Sequence, residues 1–75
     1  MPKLPRVSGE RTIRALERLG FFQVRHRGSH VVLKRENYSG VSGCVVPLHA
    51  ELATGTLRGI LKQAGVMAEE FIEKL

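Results

Sequence analysis

The chain has one cysteine, Cys44, and no tryptophan among its 75 residues. A single cysteine permits no internal disulfide, so nothing staples this small fold covalently, and a reducing, cytoplasmic setting is expected. A lone cysteine in an apolar run is ordinarily a small core residue rather than a nucleophile. Long hydrophobic stretches are missing too. None approaches the ~20 apolar residues that cross a bilayer. The opening MPKLPRVSGE is basic but leads into no apolar run, so no secretory signal and no membrane partner are expected. One cysteine and three histidines offer no ligand set for structural zinc, so neither metal nor cofactor is expected. Repeats and low-complexity tracts are absent, and the length leaves no room for two lobes closing over a ligand.

What is present is ordinary for a globular chain: 43% hydrophobic residues argue against disorder. The imbalance lies in charge. Twelve Lys+Arg against seven Asp+Glu give a net +5, which favours an anionic partner such as nucleic acid, an acidic protein or a membrane surface. The whole of 1–75 reads as one domain, with 1–7 as an extended, mobile lead-in because Pro2 and Pro5 disfavour a helix there.

Ser8 is a good N-cap, and Glu10 suits the positive end of a helix dipole. Ile13, Leu16 and Leu19 recur at near-helical spacing, and Gly20 sits where a left-handed C′ residue belongs, predicting a helix over Gly9 to Leu19. From Phe21 to Arg27 the period becomes two: Phe22, Val24 and His26 alternate with Gln23, Arg25 and Arg27. Gly28-Ser29 has glycine first, as a type II′ hairpin turn requires. His30 to Arg35 is the returning strand, Asn37, Ser39 and Gly40 form the next turn, and Val41 to Val46 form a third strand ended by Pro47. Leu57, Ile60, Leu61 and Ala64 predict a second helix, with Thr54 or Thr56 as cap and Gly65 as stop. Gly59 lies inside it, and close approach to the sheet would justify it. Ala68, Phe71, Ile72 and Leu75 predict a short final helix. The fold class is α+β: α-β-β-β-α with a three-stranded antiparallel sheet, helices on one face, and a short C-terminal helix.

A two-residue Gly28-Ser29 loop pairs Arg27 with His30, Arg25 with Val32, and Gln23 with Lys34. Strand side chains alternate, so Phe22, Val24, Val31 and Leu33 share the face that helices cover. Gln23, Arg25, Arg27, His30, Val32 and Lys34 share the other. Three cations there surround one imidazole. Polar residues occupy a solvated strand face by default, but a basic face also grips phosphates through counterion release. With an unperturbed pKa near 6.5, histidine is the usual acid or base around neutrality. RNA carries its own nucleophile, the 2′-OH, so one such base with nearby cations suffices for strand scission without metal. His26 and His30 have metal-like H-x3-H spacing, but the register puts them on opposite faces. His49, after Pro47, is expected to hydrogen-bond a loop or helix end, with a second acid/base role as an alternative. Ser29 lacks an acidic third member for a nucleophilic role and is read as a turn residue.

Three blocks in this order, the G-S-H at Gly28-Ser29-His30, the V-V-P-x-H at Val45 to His49, and the G-T-L-R-x-I-L-K-Q-A-G at Gly55 to Gly65, resemble the HicA-type toxins, also called the YcfA-like family. Ser8-Gly9 and Leu19-Gly20-Phe21 match as well, and the resemblance spans about Val7 to Phe71. It implies a fold similar to a double-stranded-RNA-binding domain and an mRNA interferase, the toxin of a type II toxin–antitoxin pair, masked by a HicB-type antitoxin. The family's essential histidine corresponds to His30. Gly28 and Ser29 correspond to the turn that presents it, and Arg27 to a phosphate contact. The stretch from Glu36 to Gly43 is longer than the family's compact hairpin.

The resulting expectation is a metal-independent endoribonuclease acting on mRNA, with His30 as general base or acid and Arg25, Arg27 and Lys34 binding RNA. The alternative is a non-catalytic RNA-binding module that reads shape, as double-stranded-RNA-binding domains do. A third reading is a protein-interaction domain.

Overall fold

The computed structural model describes residues 3–75. The elements run α1 (Gly9–Arg18), β1 (Phe22–Arg27), β2 (His30–Asn37), β3 (Gly40–Pro47), α2 (Thr54–Ala64) and α3 (Ala68–Glu73). The strands form an antiparallel meander in the order β1-β2-β3, with the helices against one face. The α+β layout is the one the sequence predicts. Among the described residues, no helix is long and apolar enough to cross a membrane.

The predicted caps of α1 are present. Ser8 Oγ accepts from the Arg11 N–H at 3.0 Å. At the other end Gly20 has φ +99°. There the Phe21 N–H donates to the Leu16 carbonyl and the Gly20 N–H to the Glu17 carbonyl, each at 3.0 Å. This is the paired closure that a left-handed glycine allows. It carries Phe21 straight down onto Leu16, and both are buried. Helix α2 ends the same way: Gly65 has φ +70°, and Val66 reaches back to Leu61 at 3.0 Å. Its start differs from expectation. Ala53 is the N-cap, and neither Thr54 nor Thr56 supplies a capping side chain.

The core gathers Leu16, Phe21, Val31, Leu33, Cys44, Val46, Leu52, Leu57, Ile60, Leu61 and Phe71 with their smaller neighbours. Each large apolar side chain buried here contributes about 1.5–3 kcal/mol, which this thin core needs. The lead-in is part of it. Val7 is buried, its carbonyl accepts from the Leu52 N–H at 2.8 Å, and Leu4 packs on the cluster. Positions 1 and 2 of the expected lead-in lie outside the described residues.

Gly9 is the tightest junction. A Cβ there would overlap the Pro47 carbonyl oxygen, and its N–H donates to the His49 carbonyl at 2.9 Å. Only glycine lets the start of α1 press on the end of β3. Gly59 is the opposite case. It is exposed and an added Cβ would meet nothing within 4 Å, so close approach to the sheet does not explain it.

The stretch from Glu36 to Gly43 is no extended loop. Lys34, Arg35, Glu36 and Asn37 pair with Gly43, Ser42, Val41 and Gly40, leaving a two-residue turn at Tyr38-Ser39. Asn37 Oδ1 accepts from the Ser39 N–H at 3.0 Å and closes it.

Two glycine substitutions are therefore expected to act with opposite sign. Gly59→Ala removes a flexible residue from an exposed helix interior and is expected to stabilise the fold by ~0.5–1 kcal/mol. Gly9→Ala forces backbone apart and is expected to destabilise it by ~1–3 kcal/mol. Urea unfolding midpoints at constant slope read both.

Candidate functional site

Cross-strand partners share a face, so the pairing defines what lies together. Arg27 pairs with His30 and Arg25 with Val32, as the sequence predicts. The ladder then slips: Gln23 faces Leu33 and Phe22 faces Lys34, with a bulge between Gln23 and Arg25 that takes up Val24. The expected Gln23–Lys34 pair does not form. Phe22 therefore lies on the uncovered face, not under the helices, and is 48% exposed, with Val24 at 45%. Gln23 turns the other way, its Nε2 donating to Glu17 of α1 at 3.4 Å. Of the two adjacent phenylalanines, Phe21 is the one in the core, with the Arg35 guanidinium 4.7 Å from its ring centroid. Arg35 also donates to the Leu19 carbonyl at the negative end of α1.

The open face is thus a set of rows across the sheet. Arg27, His30 and Pro47 form the first, Arg25, Val32 and Val45 the second, and Phe22, Lys34 and Gly43 the third. Glu36 and Val41 follow. Arg25, Arg27, His30 and Lys34 are all exposed. The two ion pairs among the described residues, Arg6–Glu51 and Glu10–Arg14, lie elsewhere, so no carboxylate neutralises the three cations. The one acid on the face, Glu36, sits six residues along β2 from His30, roughly 20 Å at strand rise.

The turn that presents His30 is held firmly. Gly28 has φ +57° and Ser29 has no positive φ, the combination of a type II′ hairpin. The Ser29 carbonyl accepts from the Leu48 N–H at 2.7 Å, which fastens the turn to the end of β3. His30 opens β2 beside Pro47, and Gly9 packs on the Pro47 carbonyl from behind. The backbone that carries His30 is therefore held on both sides, by β1 and by β3.

The other histidines are separated from it. His26 pairs with Val31 on the helix side, and its Nε2 lies 2.9 Å from the Gly28 carbonyl. It lines a shallow cleft with Glu10, Arg14 and Leu48. His49 does meet a helix end, but through its backbone carbonyl bonded to Gly9. Among the described residues no three His, Cys, Asp or Glu side chains come together as metal ligands. Cys44 is buried, and burial pushes its thiol up to about 11.

Sequence reading missed the apolar side chains on the open face: Phe22, Val41 and Val45 are 48%, 63% and 41% exposed. A signal was available for Phe22. After a left-handed glycine closure the next residue packs back on the helix, which claims Phe21, and a strand cannot then bury the adjacent ring.

Fold and face together define a small α+β domain that offers one imidazole and three unpaired cations on an uncovered sheet. The model of the family described as HicA toxin of bacterial toxin–antitoxin matches residues 9–66, and the chain belongs to this family. No individual curated protein matches it.

The buried thiol carries a pH prediction. Cys44 keeps its proton in the native state up to about pH 11, whereas in the unfolded chain it loses it near 9.0. The unfolded state thus holds fewer protons between those values, so stability is expected to fall as pH rises from about 9 to 11. Cys44→Ala should flatten that part of a stability-against-pH curve.

Proposed function

We propose that the chain is a metal-independent endoribonuclease of the mRNA-interferase type, with His30 as its acid–base residue. The observation that carries this reading is the first row: an exposed imidazole beside Arg27, fixed by a bonded turn, on a cationic face of a HicA-family domain. His30 takes the proton from a ribose 2′-OH. The 2′ oxygen then bonds to the adjacent phosphorus, the P–O5′ bond breaks, and the imidazolium returns its proton to the departing 5′ oxygen. The products are a 2′,3′-cyclic phosphate and a 5′-hydroxyl. Arg27, and Arg25 and Lys34 further along, hold phosphates and offset the negative charge that grows on phosphorus. Gly28 and Ser29 set the imidazole's place. Because RNA supplies the nucleophile, this route needs no metal-activated water.

A HicB-type antitoxin is the proposed partner, and an acidic surface covering these rows would block both RNA and His30. The setting proposed for both is the cytoplasm.

The test uses purified protein, mRNA transcripts and a metal chelator. Wild type is expected to yield fragments with cyclic-phosphate ends. General acid–base catalysis is worth ~10²–10⁴-fold, so His30→Ala should slow cleavage by that order while unfolding as wild type does. Cleavage at the wild-type rate by His30→Ala overturns the assignment. RNA binding without products favours the non-catalytic module instead.

A further inference from the structure

Resting on the ribonuclease reading, we propose that the open sheet face is a track for single-stranded RNA in which an unpaired base stacks on Phe22. Three observations converge. Phe22 is half exposed on a strand, although burying a phenyl ring is worth about 1.5–3 kcal/mol and the adjacent Phe21 is buried. The bulge between Gln23 and Arg25 is what turns it outward. Its cross-strand partner is Lys34, and the rows from there to His30 hold Arg25 and Arg27 with no acid among them.

This combination selects its occupant. Scattered exposed apolar side chains are normal, but here an aromatic ring stands beside Lys34 with the arginine rows on one side and Glu36 in the row on the other. A base offers a π-face to the ring while its phosphates meet the cations, which is how strands are held without regard to sequence. A duplex keeps its bases stacked inside and offers nothing to Phe22. A second copy of this chain would bring two sets of three cations face to face. Gly43 belongs to the same row. A Cβ there would press on the Leu33 carbonyl at 3.3 Å and make only ordinary contact with the Lys34 stem at 3.5 Å. The stacked base lies two cross-strand rows from His30. Phe22 is thus a positioning residue that sets which phosphodiester reaches the imidazole.

The experiment measures binding and cleavage separately. Binding of single-stranded oligoribonucleotides is followed in the His30→Ala background, which does not consume the probe. Phe22→Leu keeps an apolar side chain but removes the ring, and is expected to weaken binding roughly 5- to 100-fold, with Phe22→Tyr close to the parent. An abasic position is then moved along the oligonucleotide. At one position it should weaken binding to the parent and cause no further loss with Phe22→Leu, the non-additivity expected of two groups in contact. Duplex RNA should be insensitive to the substitution. Unchanged single-strand affinity in Phe22→Leu overturns the proposal, even if wild type cleaves RNA and the ribonuclease reading stands. A loss confined to binding of a HicB-type protein also overturns it. If wild type cuts nothing, the ribonuclease reading fails, while the binding series still decides whether a base meets Phe22.

Discussion

Everything in this domain depends on one sheet having one face to bury. In β2 the pleat sends Val31 and Leu33 into the core at 2% and 0% exposure. That choice leaves His30, Val32 and Lys34 no option but the other side. A one-residue slip of the central strand would expose Leu33 and bury a lysine, so the hydrophobic effect that stabilises the fold also fixes the register of the cationic face. The site is thus specified by the core rather than added to it. Among the described residues the helices lie on one side alone and leave the opposite side uncovered.

How much was legible in the sequence follows from how local each signal is. Ser8, Gly20, Gly28 and Gly65 announce caps and turns through requirements that act within a few residues, and each holds the place its chemistry predicts. Helical periodicity likewise found Leu57, Ile60, Leu61 and Ala64, all buried. Alternation placed His30 and Lys34 correctly because β2 keeps its two-residue period, and Arg25 and Arg27 because they lie on the hairpin side of the bulge. It failed in β1, where a bulge adds one residue to the strand and reverses Phe22 and Gln23. Nothing in the composition of that segment marks a bulge. It follows directly on the helix closure, which buries Phe21 and leaves Phe22 on the open face. The turn around Ser39 and the strand from Val41 were legible, but the pairing of Glu36 and Asn37 with Val41 and Gly40, which narrows the turn to Tyr38-Ser39, was not. Pairing comes from the neighbouring strand, not from propensity.

Smallness and charge, which a bare sequence shows as two separate facts, have a common expression in the structure. A domain with little interior has little room for a deep pocket, and the groups it offers a partner stand on its surface. Water screens exposed charges, so each cation there is individually weak. Several on one rigid face act together on a polyanion, whose charges are tethered to one another in the same way. The absence of carboxylates from the first three rows therefore matters as much as the presence of arginines. A single glutamate near His30 would neutralise a cation and tie up the imidazole.

The backbone bonds behind the turn have a consequence for how the protein comes into being. Ser29 is held by Leu48, about twenty residues on, while Gly9 is held by His49 and Val7 by Leu52, some forty residues on, so the frame around His30 joins distant stretches of the chain. Such contacts form only after long loops close, late in the ordering of the chain. A ribosome-bound fragment ending before Leu52 has the histidine and the arginines but not the frame that aims them. The backbone around position 30 is therefore organised only once the segment reaching Leu52 has joined the sheet.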